Sequence, residues 1–143
     1  MTPEGRQLLK KMLLKDEEYR QYPYVDSRGN LTIAIGQNIS HSGDGISMPA
    51  ALFILGEKMD ETQNKLSHYF SWFSKMAELR QIALINMAFN LGFEGFLKFH
   101  NMLLALESSD FERASQEMLN SKWREQVGER ATCLANIIRT GEI

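Results

Sequence analysis

Cysteine is almost missing from this chain. Cys133 is the only one among 143 residues, so no internal disulfide can form. It lies in Ala131-Thr-Cys-Leu-Ala-Asn-Ile-Ile138, a helical pattern that predicts a buried structural thiol. The three histidines, His41, His68 and His100, share no metal-ligand spacing with it, and neither a metal nor an organic cofactor is expected. No segment is apolar for the roughly eighteen residues that a membrane span needs. The run at Lys10-Lys11-Met12-Leu13-Leu14 is too short, and too quickly followed by acids, for a secretory signal. The expectation is therefore synthesis in the cytoplasm, with any work outside depending on another route of export or on lysis. A basic excess is also lacking: 16 Lys and Arg stand against 18 Asp and Glu, a formal net charge of −2. That balance argues against non-specific nucleic-acid binding and against long-range attraction to anionic polymers. Repeats and low-complexity linkers are absent. What is present, 43% hydrophobic and 24% charged residues, is the composition of a soluble globular protein. The length suits one compact domain, expected to be a monomer.

The periodicity predicts mostly helix. A first helix is expected over Pro3–Glu17, with Leu9, Leu13 and Glu17 spaced by four along a buried stripe and Glu18 turned towards solvent. Pro23 blocks further helix. A short strand at Tyr24-Val25, a polar turn and a strand over Leu31–Gly36 follow. In that second strand Leu31, Ile33 and Ile35 form one face, which reads as core. Thr32, Ala34 and Gly36 form the other, small and polar enough for a groove floor. Residues 38–46 form a loop of turn formers, after which Ser47 is placed to cap a long helix from Met48-Pro49 to about residues 67–74. The aromatics Tyr69, Phe70, Trp72 and Phe73 at its end read as core packing. Leu79–Leu91 is apolar almost all round, as a buried central helix is, with Asn86 and Asn90 as its exceptions and Gly92 as its stop. Further helices are expected at about Phe96–Glu107, Asp110–Asn120, with Ser109 and Glu112 as a capping box, and Glu129–Arg139.

The residues that carry chemistry lie near the first helix end. Glu17 and Asp26 stand nine residues apart, and Thr32 six further on. Cleaving a glycosidic bond takes one carboxylic acid to protonate the leaving oxygen and a second carboxylate to position water or stabilise charge on the sugar. A helix end facing a hairpin can hold two such groups apart. Each residue alone has a plainer reading. Glu17 sits in an Asp-Glu-Glu run at a solvated helix end. Asp26 precedes Ser-x-Gly, where aspartate commonly bonds its own turn. Thr32 is a good strand former. The two offsets together are what point to a site.

Two blocks carry a resemblance to a known family. The first is Asp16-Glu17 through Asp26, Gly29, Thr32-Ile33 and Ile35-Gly36. The second is Ala83-Leu-Ile-Asn-Met-Ala-Phe-Asn-Leu-Gly92, then Ser121-Lys-Trp123 and Arg130-Ala131 through Arg139-Thr140-Gly141. In order and spacing the chain resembles the T-even phage lysozymes, the endolysin muramidases of glycoside hydrolase family 24, over about two-thirds of its length. The resemblance implies Glu17 as general acid, Asp26 as second carboxylate, and Thr32 as the residue that helps hold the attacking water. It puts Arg130 on an arginine beside the catalytic glutamate and Phe89 on a groove-lining aromatic. Asn90 stands where the family has a glutamine near a tryptophan matching Trp123. Asn38, Met102 and Glu117 fall near saccharide-contacting positions with side chains unlike the family's. Gln37 replaces the histidine of the family's Gly-x-Gly-His signature and Ala34 its first glycine. The segment between Gly36 and Asn86 is shorter than in the T-even enzymes, and the slight acidity departs from their common basicity.

The expected fold is mainly α (α+β), lysozyme-like and two-lobed. A small β-hairpin lobe covers about residues 15–46 and a helical lobe about residues 75–143 together with the N-terminal helix. A helix from about residue 47 joins them, and a substrate groove lies between. The implied activity is hydrolysis of the β-1,4 bond between N-acetylmuramic acid and N-acetylglucosamine in bacterial peptidoglycan, with inversion and a strongly pH-dependent rate. Host lysis, acting in the periplasm or cell wall after holin-dependent release or other export, is the implied role, and a virion-associated lysozyme and a bacterial toxin or remodelling enzyme are equally compatible with the chain. A lytic transglycosylase acting on the same bond, or a non-catalytic wall-binding or tail-structure protein of the same fold, are the alternatives.

Overall fold

In the computed structural model, which describes residues 1–17, 19–43 and 45–143, Thr2 starts the first helix. Its Oγ1 accepts the Gly5 N–H at 3.1 Å, and Pro3 takes the first helical position, where a missing N–H costs nothing. Helix α1 runs Pro3–Asp16, and Glu17 is its C-cap, with its N–H on the Leu13 carbonyl. The expected buried stripe is not there: α1 buries none of its residues, and Leu9, Leu13 and Glu17 are all exposed. The sheet beside it in sequence offers only a few short strands to pack against, and a spacing of four marks an amphipathic face without saying what covers it. Glu18 lies outside the described residues.

Strands β1 (Arg20–Val25), β2 (Leu31–Ala34) and β3 (Gln37–Asn38) form an antiparallel sheet in the order β1-β2-β3. β1 is longer than Tyr24-Val25 because Pro23 is accommodated on an edge strand, where the register shifts between Arg20 and Tyr24. The second strand stops at Ala34, which has φ +58°. Ile35 and Gly36 (φ +73°) turn the chain back so that Ile33 pairs with Gln37 and Thr32 with Asn38. The face assignment is corrected too. Thr32 is buried, whereas Leu31 and Ile35 are exposed. Alternation separates two faces of a strand, and in so small a sheet it does not say which is covered.

Ser47 Oγ accepts from Ala50 N at 3.4 Å and helps start α2 (Met48–Tyr69). A 3-10 turn at Phe73–Lys75 leads into α3 (Glu78–Leu91), α4 (Phe93–Leu97), α5 (His100–Glu107), α6 (Phe111–Leu119), α7 (Lys122–Val127) and α8 (Glu129–Thr140). The fold is mainly helical with one small antiparallel sheet, as expected. Two compact units divide the described residues: Met1–Leu52 and Phe53–Ile143. Helix α1, expected with the helical lobe, falls with the sheet in the first unit.

The buried core belongs to the second unit. Leu66, Phe73, Leu84, Phe96, Met118 and Ile138 are fully buried within it, each contributing on the order of 1.5–3 kcal/mol through removal from water. Phe70 and Trp72 pack against this core, as the aromatic cluster implied, and Tyr69 reaches Phe70 and Phe93 edge-on from the surface. Helix α8 docks on α3 and α6 through Ala131, Leu134, Ala135 and Ile138, a stripe at helical spacing. Cys133 stands one position before Leu134, off that stripe, and is exposed, so the expected buried thiol is corrected. The cap of α6 is Asp110, whose Oδ1 accepts from Arg113 N at 3.0 Å, not Ser109. Arg80 ties α3 to the end of α8: Nε donates to the Ile138 carbonyl at 2.8 Å, and the guanidinium lies 3.7 Å from the Phe111 ring centre.

Candidate active site

Four of the predicted residues, Glu17, Asp26, Thr32 and Asn38, share the first unit. Glu17 ends α1 with helical dihedrals (φ −93°, ψ −11°) and an exposed side chain. Its carboxylate lies over Gly36: a Cβ on that glycine would stand 3.1 Å from Oε2 and 3.7 Å from Cδ. Gly36 thus does two things at once. It turns the hairpin at positive φ and leaves room for the acid.

Asp26 closes the turn after β1. Its Oδ1 accepts the N–H groups of Arg28 at 2.9 Å and Asn30 at 2.8 Å, while Oδ2 takes a long bond from Asn30 Nδ2 at 3.4 Å. The backbone bond from Asn30 is the chief reason that its pKa is lowered; desolvation, next in size, opposes it, and the Arg28 N–H adds to the lowering. Asp26 is therefore a turn residue in its bonding and a persistent anion in its charge. The two readings coexist, since a carboxylate has about four acceptor sites. Oδ2 keeps capacity for a further donor. Thr32, in the middle strand, pairs with Tyr24 on one side and Asn38 on the other, and its hydroxyl donates to the Asn30 carbonyl at 3.2 Å. Asn30 thereby links Asp26 and Thr32 through its backbone.

The loop behind this group is held by its own side chains. Asn38 Oδ1 accepts from the Ser40 N–H at 2.9 Å and from the Ser40 hydroxyl, and Gly43 passes so close to it that a Cβ there would lie 2.5 Å from the Asn38 carbonyl. The carbonyl of the Asn38 side chain is thus committed to the loop. Gln37, standing in place of the family's histidine, donates from Nε2 to the Gly45 carbonyl at 2.6 Å.

The other predicted residues sit on the second unit. Arg130, at the start of α8, donates from Nε (2.9 Å) and Nη2 (2.6 Å) to Asn86 Oδ1 on α3, with a further bond to the Asn86 carbonyl. Asn86 is a partner that the sequence marked only as an odd polar residue. Trp123 is buried, its indole N–H donating to Asn90 Oδ1 at 2.7 Å and its ring edge-on to Phe99. Phe89 is exposed and borders a small cavity of about 200 Å³ with Lys58, Glu61 and Lys65. Both lysines bond Glu61, and the Lys65 bond is the larger cause of its lowered pKa. Met102 is a fully buried core residue, with no surface of its own to offer a sugar. Half-buried Glu117 accepts a long bond from Asn101 at 3.5 Å at the edge of a cleft of about 740 Å³ that Trp123 also lines.

Comparison with known proteins follows the same residues. The sequence model of one family, described as phage lysozyme, matches residues 15–139. The pre-baseplate central spike protein Gp5 of Enterobacteria phage T4 is 28% identical over 92% of this chain, which spans 28% of that protein's length. Two proteins of Dictyostelium discoideum, probable T4-type lysozymes 1 and 2, are each 27% identical over 94% of this chain and 95% of their own length.

Proposed function

The chain belongs to the phage lysozyme family, whose members are lysozyme-type glycoside hydrolases. From that premise we propose that it is an endo-acting muramidase, hydrolysing the β-1,4 bond between N-acetylmuramic acid and N-acetylglucosamine in bacterial peptidoglycan. The observation that carries this reading lies within the matched span. Glu17, an exposed carboxyl at a helix end, and Asp26, held anionic by backbone donors, are two carboxylates with different surroundings on one small unit.

In the proposed reaction Glu17 gives its proton to the glycosidic oxygen as the bond to the muramic acid C1 breaks. The departing sugar leaves as an alcohol, and oxocarbenium-like charge develops at C1. Asp26 accepts a proton from a water on the opposite face, with the Thr32 oxygen as second anchor, and that water's oxygen bonds to C1 with inversion. Glu17 then regains a proton from solvent and Asp26 releases one. Inversion requires carboxyls about 6.5–9.5 Å apart, leaving space for the water. Arg130 is proposed as charge support for catalysis. Phe89, Asn90 and Trp123, and less directly Asn38 and Glu117, are proposed on the sugar-binding side. Met102 is retained only as packing beneath it. Host lysis is the proposed role.

Digestion of purified peptidoglycan in heavy-oxygen water tests the chemistry. Hydrolysis puts one heavy oxygen on each new reducing end. Anhydro fragments lighter by one water, with no label, would move the protein to the transglycosylases. The similarity to a spike protein supports a second reading, a domain of this fold carried in a tail structure without turnover. Binding to the wall with no released fragments would favour that reading.

A further inference from the structure

One cleft of the second unit carries charges of both signs. It holds about 740 Å³, and all the residues that line it lie within Phe53–Ile143. Trp123 and Phe99 form an apolar wall. The bond from the indole to Asn90 at 2.7 Å and the edge-on contact with Phe99 hold that wall rigid. Lys98, His100 and Lys122 line the cleft as well, and Glu117 from α6 is the one acid among its described lining residues. Glu117 is half-buried and sparsely bonded. On α2, by contrast, Glu61 meets Lys58 at 3.1 Å and Lys65 at 2.7 Å. Glu117 shares its cleft with three basic residues and, among the described residues, forms an ion pair with none of them. Its one donor is the Asn101 amide at 3.5 Å, at the limit of a hydrogen bond. A carboxylate has about four acceptor sites, so most of this one's capacity remains for a ligand.

We propose that Glu117 makes this cleft selective for peptidoglycan stems whose diamino acid keeps a free side-chain ammonium. The inference rests on the muramidase reading for its substrate, but it concerns recognition rather than turnover. The lining decides the occupant. A half-buried carboxylate without a cation is costly to keep, and an ammonium ligand offsets that cost. Sugar hydroxyls supply no cation, and a phosphate polymer would set a second anion against Glu117. A metal ion needs several ligands placed together, and no group of three His, Cys, Asp or Glu that could hold one exists among the described residues. A short peptide with a free amine meets every part of the lining. Its ammonium sits on Glu117 and its carboxylates on Lys98 and Lys122, whose flexible stems let the charged heads reach them. Its backbone amides meet Asn120 and Gln126. Cross-linking acylates the diamino acid's amine, which leaves a neutral amide with one N–H in place of the ammonium's three. Glu117 therefore favours stems whose amine no neighbour has acylated.

The test uses the full chain and two forms of one free tripeptide, built of L-alanine, γ-linked D-glutamate and meso-diaminopimelate. One form keeps the side-chain amine and the other is acetylated there, as a cross-link would leave it. NMR titration follows the indole N–H of Trp123, which stands in the cleft wall. The acetylated form should bind wild type about tenfold more weakly, the loss expected of one charge-assisted contact. Glu117→Gln should bind both forms alike, near the level of the acetylated form on wild type. Lys98→Gln with Lys122→Gln should weaken both forms about fivefold and leave their ratio unchanged. Glu117→Gln is nearly isosteric, and unchanged amide resonances away from the cleft verify that each variant keeps its fold. Equal affinity of the two forms for wild type overturns the proposal, as does a preference that survives in Glu117→Gln. No binding of either form at millimolar concentration overturns it too. The peptides contain no glycosidic bond, so the outcome is separate from turnover. Discrimination between the peptides without wall digestion would sink the muramidase reading and leave the site standing, and digestion without discrimination would do the reverse.

Discussion

Replacing Gly36 by alanine should separate stability from catalysis. Gly36 has φ +73°, a conformation that costs an L-residue roughly 1–2 kcal/mol. Alanine recovers about 0.4–1 kcal/mol by restricting the unfolded chain, so the net loss should be near 1 kcal/mol. In a chain of this size that is about 3–5 °C in Tm. The second effect is steric. The new Cβ would stand 3.1 Å from Glu17 Oε2, so the carboxylate must give way by some tenths of an ångström. Misplacing a reacting group by about 1 Å can cost about a hundredfold, so a smaller shift should lower kcat about tenfold, with KM little changed. Gly45→Ala supplies the control, because its φ is +68° and nothing lies within 4 Å of its added Cβ. It should lose similar stability and keep its activity. The assay is initial-rate release of reducing ends from purified peptidoglycan, beside thermal unfolding of both variants. Wild-type kcat in a Gly36→Ala protein that is destabilised as predicted would refute the link between this contact and the acid.

Ala34 has φ +58°, where the family's signature carries glycine, so Ala34→Gly should stabilise by up to about 1 kcal/mol in calorimetry. A lower Tm would contradict strain at that position. Asn90→Ala strips the partner of the buried Trp123 N–H and should cost about 1–3 kcal/mol by urea unfolding, whereas the double variant with Trp123→Phe should cost less than the sum of the two single ones. The Asp26 pKa is depressed in the folded state, so its contribution to stability is present above the 3.8 of an unperturbed aspartate and is lost as pH falls through the lower folded value. Carbon-detected NMR should find its midpoint below 3.8, and Asp26→Asn should flatten the stability profile in that acid window.

How far the sequence could be read depended on whether a signal was local. Pro3 and Thr2 fix where α1 begins, and Gly92 where α3 ends, because caps and stops act within a few residues. The Asp26 turn was legible for the same reason, and its role as turn former proved compatible with its charge. Burial is a different matter. Leu9 and Leu13 keep perfect helical spacing and stay exposed, while Thr32 is buried, since a pattern says that faces differ but not which one finds a partner. Cys133 missed burial by one position around α8. Strand β3 has two residues, too few for any alternation to register. Helix α7 has six and was not expected, although Ser121 caps it by accepting from Arg124 N at 3.2 Å. The Arg130–Asn86 and Trp123–Asn90 pairs join residues far apart in sequence, and only the Trp123–Asn90 neighbourhood was suggested in advance, by resemblance rather than by pattern.

The most direct test is digestion of purified Gram-negative peptidoglycan by wild type and Glu17→Gln, with the soluble muropeptides identified by mass. Glu17 is exposed and the substitution nearly isosteric, so both proteins should unfold at the same temperature. Hydrolysed muropeptides with free reducing ends from wild type, and none from Glu17→Gln, are the predicted result. Equal digestion by the two proteins would contradict Glu17 as the acid, and no digestion by wild type from acid to neutral pH would contradict the muramidase itself.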